Sequence, residues 1–181
     1  MTNTNVAPLD AAHTIAMLIN GERVQAANGA VFERRNPLDG TVATRAPAAT
    51  SEDARRAVDA AAAAFPAWAA MGPTERRALL MRAAQALEAK GEAFAAAMAA
   101  ETGASALWAG FNVHLAASGL QEAAAMVTQI AGEIIPSDVP GSLAMGVRQA
   151  AGVVLGIAPW NAPVILAVRA IALPLACGNT V

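Results

Sequence analysis

Tyrosine is missing from this chain, and aromatic residues supply only 4% of its 181 positions. A core built from it must lean on Ala, Val, Leu, Ile and Met. Cysteine is almost as scarce. The single Cys177 excludes an internal disulfide framework and suits a reducing, cytoplasmic setting. The two histidines, His13 and His114, lie far apart with no carboxylate spacing typical of a metal site, so no metal is expected. Concentrated basic charge is also lacking. The formal net charge is −2, and no basic run exceeds a pair such as Arg34-Arg35, Arg55-Arg56 or Arg76-Arg77. Nucleic acid, which needs a concentrated basic face, is not an expected partner. The N-terminal stretch holds no basic region followed by an apolar run, so no signal peptide is expected. Pro159, Asn161, Pro163, Arg169 and Pro174 interrupt the apolar C-terminal third, leaving no uncharged span of ~18 residues for a membrane. The chain is expected to be soluble.

What the chain does have is alanine. Hydrophobic residues reach 56%, above the ~45–50% of ordinary soluble domains. Alanine is the best helix former and a weak hydrophobe, so the excess argues for helices. The length suffices for one domain with a core, or for one domain and part of another. Residues 1–14 read as a polar lead-in. Asn20-Gly21 supplies a positive-φ turn between two short strands over residues 18–24. Residues 31–37 and 41–47 read as two more strands, turned at Asp39-Gly40. Helices follow. Thr50 caps the first, with Asp53 completing a capping box and Glu52 favouring the positive end of the dipole. Its apolar face, from Ala54 to Phe65, runs until Pro66 breaks or kinks it. Pro73 starts a second helix, Gly91 interrupts it, and Gly103 stops its continuation. A long helix is predicted over residues 105–131. Two strands are predicted between residues 144 and 157, joined near 149–152. Pro163 then begins a last helix running to about Leu175.

Asn161 is the best candidate for chemistry. It stands at the carboxyl end of an apolar stretch read as a buried strand, where ligands bind in open α/β sheets. Pro159 and Pro163 restrict the backbone on either side. A fixed amide there can stabilise a developing oxyanion. The other reading is that Asn161 caps the helix begun at Pro163. On that helix Ala162, Ile165, Leu166 and Arg169 share one face. If Asn161 points into a pocket, this face lines it. Arg169 is then a lone cation on an apolar wall, suited to an anionic or hydroxylated group. Alternatively, Arg169 is a surface residue or part of a salt bridge. Cys177 lacks a nearby His or helix N-terminus and reads as a buried structural thiol. His114 reads as a surface or satisfied core residue. Gly152 and Gly156 bracket a strand and not a phosphate-cradling turn. Trp108, Phe111 and Leu115 share a face of the long helix, the ordinary mark of core packing.

Ile157-Ala-Pro-Trp-Asn161, with Pro163 and then Pro174-Leu-Ala-Cys-Gly-Asn-Thr-Val181, resembles the aldehyde dehydrogenase superfamily. The resemblance extends back through Glu101-Thr-Gly103, the proline-started helix at Pro73 and the hairpin near Asn20, and covers nearly the whole chain. The stretches from Asn161 to Leu166, from Arg169 to Ala172 and from Trp108 to His114 look most like the aromatic branch, the salicylaldehyde, vanillin and benzaldehyde dehydrogenases. Many relatives carry an aromatic residue after the Asn. Here Ala162 leaves room for a ring.

The resemblance implies an α/β fold, the amino-terminal part of the aldehyde dehydrogenase fold. It would hold an incomplete Rossmann-like cofactor domain with several helices and a bridging β-hairpin. Residues 15–138 would belong to the cofactor-binding domain, 139–156 to the hairpin, and 157–181 to the first strand end and helix of the Rossmann-like core. The implied activity is oxidation of an aldehyde to an acid with NAD or NADP and no metal. In the family a cysteine thiolate attacks the aldehyde, an Asn amide and a backbone N–H hold the oxyanion, and a glutamate activates water against the thioester. Asn161 matches that Asn. Ile157, Ala158, Pro159 and Trp160 match the stretch lying along the cofactor. Phe111, Leu115, Ala162, Ile165, Leu166 and Arg169 match walls of the aldehyde tunnel. The nucleophile, the glutamate and the phosphate turn have no match here, and Cys177 does not take the nucleophile's position. The expectation is therefore an amino-terminal portion of a homo-oligomeric enzyme, inactive by itself. The alternative is a non-catalytic piece that only contacts other subunits.

Overall fold

The computed structural model describes residues 13–181 and opens on a short strand, β1 (His13–Thr14). The lead-in expected over residues 1–14 therefore lies, up to residue 12, outside the described residues. Asn20 and Gly21 both take positive φ, 51° and 79°. That geometry makes the two-residue turn favoured by strand twist. It joins β2 (Met17–Ile19) to β3 (Glu22–Val24), as the sequence predicts. β4 (Val31–Arg35) and β5 (Val42–Pro47) pair antiparallel, and β1 runs parallel along the other edge of β5.

Helix α1 (Ser51–Ala70) begins on the expected capping box, with Thr50 Oγ1 accepting from the Asp53 N–H at 3.3 Å. The Asp53 carboxylate accepts from the Thr50 N–H at 2.8 Å and from the Ala27 N–H at 3.1 Å, so it fastens the loop before β4 onto the helix start. Pro66 does not break α1. It stands in the helix's last turns, where a single main-chain bond is lost. The Ala62 carbonyl left without a donor lies on the exposed side, within reach of water. The Trp68 indole then docks the helix end by donating to the Leu175 carbonyl at 3.1 Å.

Helices α2 (Pro73–Ala89), α3 (Gly91–Thr102) and α4 (Ala106–Met126) follow the predicted punctuation. Gly103, at φ 67°, closes α3 in the left-handed conformation. α4 is shorter than the sequence suggests, because its end tightens into a 3-10 turn over Val127–Gln129. It is the centre of the molecule. Ala109, Ala116, Leu120, Ala123 and Ala124 pack against Leu80 and Ala84 of α2, Met98 of α3, and Val164, Val168 and Ala172 of the last helix, α5 (Pro163–Ala176). Small side chains let these helices approach closely. Each buried methylene contributes about 0.8 kcal/mol, so stability comes from many small contacts.

Two strand expectations are corrected. The hairpin is built from β6 (Glu133–Ile135) and β7 (Ala144–Gly146), so its first strand lies before the predicted one. Residues 153–157 are not a buried strand. Only Val153 pairs, in parallel with Thr180, and Leu155 and Ile157 are more than four-fifths exposed. Beyond Val153 no described strand lies alongside to cover them. The Val153–Thr180 bridge with α5 between its ends is a parallel crossover unit, the element of an α/β sheet. Asn179 clamps it. Its Oδ1 accepts from the Ala151 N–H (2.7 Å) and the Gly152 N–H (3.0 Å), while its Nδ2 donates to the Pro174 carbonyl (3.2 Å). Gly156 lets the following segment lie against α5, since a Cβ there would stand 2.9 Å from the Ala170 Cβ.

Candidate active site

Pro163 sits at the first position of α5, where its missing N–H costs nothing. The N-cap is Ala162, at φ −136° and ψ 64°, and no side chain caps the helix. The capping reading of Asn161 therefore fails. Helix bonding starts from the main chain, with the Leu166 N–H donating to the Ala162 carbonyl at 3.0 Å. Asn161 is exposed, and its amide takes no part in starting the helix. Its main-chain carbonyl accepts from the Trp108 indole Nε1 at 3.3 Å, which ties this loop to the first turn of α4.

Two grooves flank α5. One, of about 560 Å³, is lined by Ala158, Pro159 and Trp160 with Val164 and Ile171, and has Arg34, Glu101 and Thr102 as its polar members. Glu101 is held in place by the Thr44 hydroxyl, which donates to its Oε1 at 2.6 Å. The other groove, of about 470 Å³, lies between α4 and α5. Leu115, Gly119 and Met126 line it with Ile165, Arg169 and Leu173, and Ser118 and Glu122 add polar groups. Both volumes fall in the ~300–1,000 Å³ range of small-molecule sites.

Six of the residues singled out from the sequence divide between these grooves, and Asn161 lines neither. Ala158, Pro159 and Trp160 share the first, and Ile157 lies outside it. Leu115, Ile165 and Arg169 share the second. Ile165 and Arg169, four residues apart, stay in line along the helix. Leu166, about 100° further round than Ile165, turns away from the groove. Ala162 is buried, and Phe111 stacks on Trp108 with ring centroids 5.6 Å apart. Trp108, Phe111 and Leu115 are 41%, 47% and 36% exposed, so they are not core residues. The buried stripe of α4 runs through Ala109, Val113, Ala116 and Leu120 instead. His114 is exposed. Cys177, expected to be buried, is exposed as well. It follows Ala176, the last residue of the buried face of α5, by one helical step.

The aldehyde dehydrogenase family profile matches residues 24–181. The chain belongs to the aldehyde dehydrogenase family. Among its relatives, a vanillin dehydrogenase of Pseudomonas fluorescens is 62% identical over 92% of this chain and 34% of its own length. The structure of a salicylaldehyde dehydrogenase from Pseudomonas putida G7, complexed with salicylaldehyde, superposes with a TM-score of 0.89 at 46% identity, over 93% of this chain and 35% of that one. PnpE, solved in complex with nicotinamide adenine dinucleotide, gives a TM-score of 0.88 at 35% identity, over 92% and 34%. The chain thus spans about a third of the length of the relatives it matches, and its fold is that of their amino-terminal portion.

Within this aldehyde dehydrogenase chain, Trp108, Ser118 and Glu122 are among the contributors that sequence reasoning misses. It places Trp108 in the core, although the indole reaches across to Asn161. The position of Trp108 three residues after the Ser105 cap, at the exposed start of a helix, is the signal that points to the loop. Ser118 and Glu122 follow Leu115 at helical spacing and line the same groove. Among the described residues, no cluster of His, Cys, Asp and Glu could hold a metal ion, and no helix is long and apolar enough to cross a membrane.

Proposed function

We propose that the whole protein oxidises an aromatic aldehyde to its carboxylic acid with NAD or NADP, and that Asn161 stabilises the oxyanion formed on the way. The observation that carries this reading is the state of Asn161. It is exposed and free of the helix start, and its main chain is pinned to Trp108 one residue after Trp160 of the first groove. Its Nδ2 donates to the aldehyde oxygen as that atom gains negative charge, the interaction that contributes most to acyl-type chemistry. The nicotinamide cofactor, when bound, supplies the hydride acceptor. The first groove suits it. The Trp160 ring is 70% exposed and offers a flat face, Ala158 and Pro159 leave the backbone accessible, and Glu101 and Thr102 offer oxygens to hydroxyl groups.

The ring of the aldehyde belongs in the second groove, on Leu115 and Ile165. Arg169 there receives a ring hydroxyl or other electron-rich substituent. Relatives that act on vanillin and salicylaldehyde support an aromatic substrate. The attacking thiol is not Cys177, and the whole protein works as a cytoplasmic homo-oligomer. The test is NADH or NADPH formation by the purified whole protein with vanillin, salicylaldehyde and benzaldehyde. Activity on these that exceeds activity on short aliphatic aldehydes is expected. Failure with every aromatic aldehyde and both cofactors overturns the reading.

A further inference from the structure

We infer that Trp108 is a positioning residue for this chemistry, holding Asn161 through its main chain while Phe111 steadies the indole. The inference rests on the oxyanion role proposed for Asn161. Among the described residues, few other contacts fix the segment carrying Asn161. Residues 155–161 are exposed, no described strand pairs with them beyond Val154, and the helix that follows has no side-chain cap. Pro159 and Pro163 narrow φ at two positions but leave the orientation of the Asn161–Ala162 peptide unset. The indole N–H donating to the Asn161 carbonyl fixes that peptide plane at 3.3 Å, and with it the direction in which the Asn161 side chain leaves the backbone.

Trp108 is itself held at three points. Its backbone N–H donates to the Ser105 cap (3.3 Å), its ring stacks on Phe111 at an interplanar angle of 22°, and its carbonyl accepts from Nδ2 of Asn112 (3.0 Å). Asn112 is fully buried and anchors this turn in the body of α4. A chain of contacts therefore runs from the buried helix to the exposed loop, so a misplacement of the indole is passed directly to the amide. Such placement matters because a donor off its line to the oxyanion loses most of its effect.

The test is a double-mutant cycle in the whole enzyme with Trp108→Phe and Asn161→Ala. Phenylalanine keeps an aromatic ring against Phe111 and removes the N–H donor. The expected result is a five- to tenfold fall in kcat with aldehyde KM changed less than twofold, the size of one lost hydrogen bond. In the Asn161→Ala background the same substitution should have no further effect. Trp108→His, which can donate from its ring, should recover part of the rate, and thermal melting of each variant reports whether the fold is kept. If Asn161→Ala leaves kcat unchanged, the oxyanion reading itself fails. If Asn161→Ala is impaired but Trp108→Phe is not, or if the two losses simply multiply, the positioning role fails. It fails equally if Trp108→Phe and Trp108→His both lower the melting temperature and the soluble yield, because the indole is then a folding residue.

Discussion

The two ends of α5 carry residues that a sequence alone can confuse. Asn161 precedes the helix and Cys177 follows it, and a nucleophile must reach within bonding distance of the atom whose oxygen Asn161 is proposed to hold. The fourteen residues of α5 lie between them, which is about 21 Å of helix. Cys177→Ser should therefore leave kcat and KM of the whole enzyme within about twofold of the parent. A loss of several hundredfold would make Cys177 the nucleophile and undo the assignment of the helix ends. Arg169 invites the complementary experiment. It lines a groove whose other walls are mostly apolar, and no carboxylate among the described residues forms an ion pair with it. Arg169→Leu should raise KM for salicylaldehyde about tenfold and leave benzaldehyde nearly unaffected, since only the hydroxylated ring uses the guanidinium. Equal losses on both substrates would mean that Arg169 supports the fold. At this scale the sequence is readable where a residue acts on its own backbone, as with Pro163 at the first position of α5. It misleads at Trp108, because whether an aromatic residue on a helix points to core or loop depends on neighbours distant in the chain.

At the scale of elements, punctuation is legible and pairing is not. The Asn20-Gly21 turn, the Thr50–Asp53 box, Pro73, Gly103 and Pro163 each act through bonds to residues a few positions away, so the chain states them locally. The partner of β7 and the exposure of residues 153–157 depend on which segments meet across the fold, and apolar content alone does not decide that. The capping box also predicts how the molecule responds to acid. The Thr50 N–H, helped by the Ala27 N–H, the Thr50 hydroxyl and Arg56, holds the Asp53 pKa below the ordinary value of 3.8 against the opposing effect of burial. A folded-state pKa below the unfolded one means that the stabilisation is complete above about pH 4 and is lost as pH falls through the folded value. Thermal melts of Asp53→Asn should show a midpoint several degrees lower at neutral pH, and the gap to the parent should close on acidification. A gap that stays constant from neutral pH to about pH 2 would show that the carboxylate's charge contributes nothing.

The whole molecule presents more apolar surface than a self-sufficient domain needs. Ile134 of β6 stands directly opposite Met145 of β7, and Leu143 and Val147 alternate with Met145 on the same side of the hairpin. All four are 60–76% exposed. Leu155, Ile157 and Trp160, 82%, 81% and 70% exposed, add a second apolar strip along the segment that leads to the site. Neither strand of the hairpin pairs with a further strand among the described residues, so its edges keep unpaired N–H and C=O groups. Surfaces of this kind are covered in working proteins, by other parts of the same chain or by another subunit. The polypeptide of residues 1–181, made by itself, should therefore self-associate at micromolar concentration. The hairpin face should drive much of this, because it joins apolar side chains to open strand edges. Ile134→Lys with Met145→Lys should shift sedimentation profiles towards monomer while leaving the thermal midpoint within a few degrees, since both side chains lie outside the helical core. A parent polypeptide that sediments as a single monomeric species would show that this face needs no cover. Association that survives both lysines would move the contact to the strip around Leu155 and Ile157, beside the site.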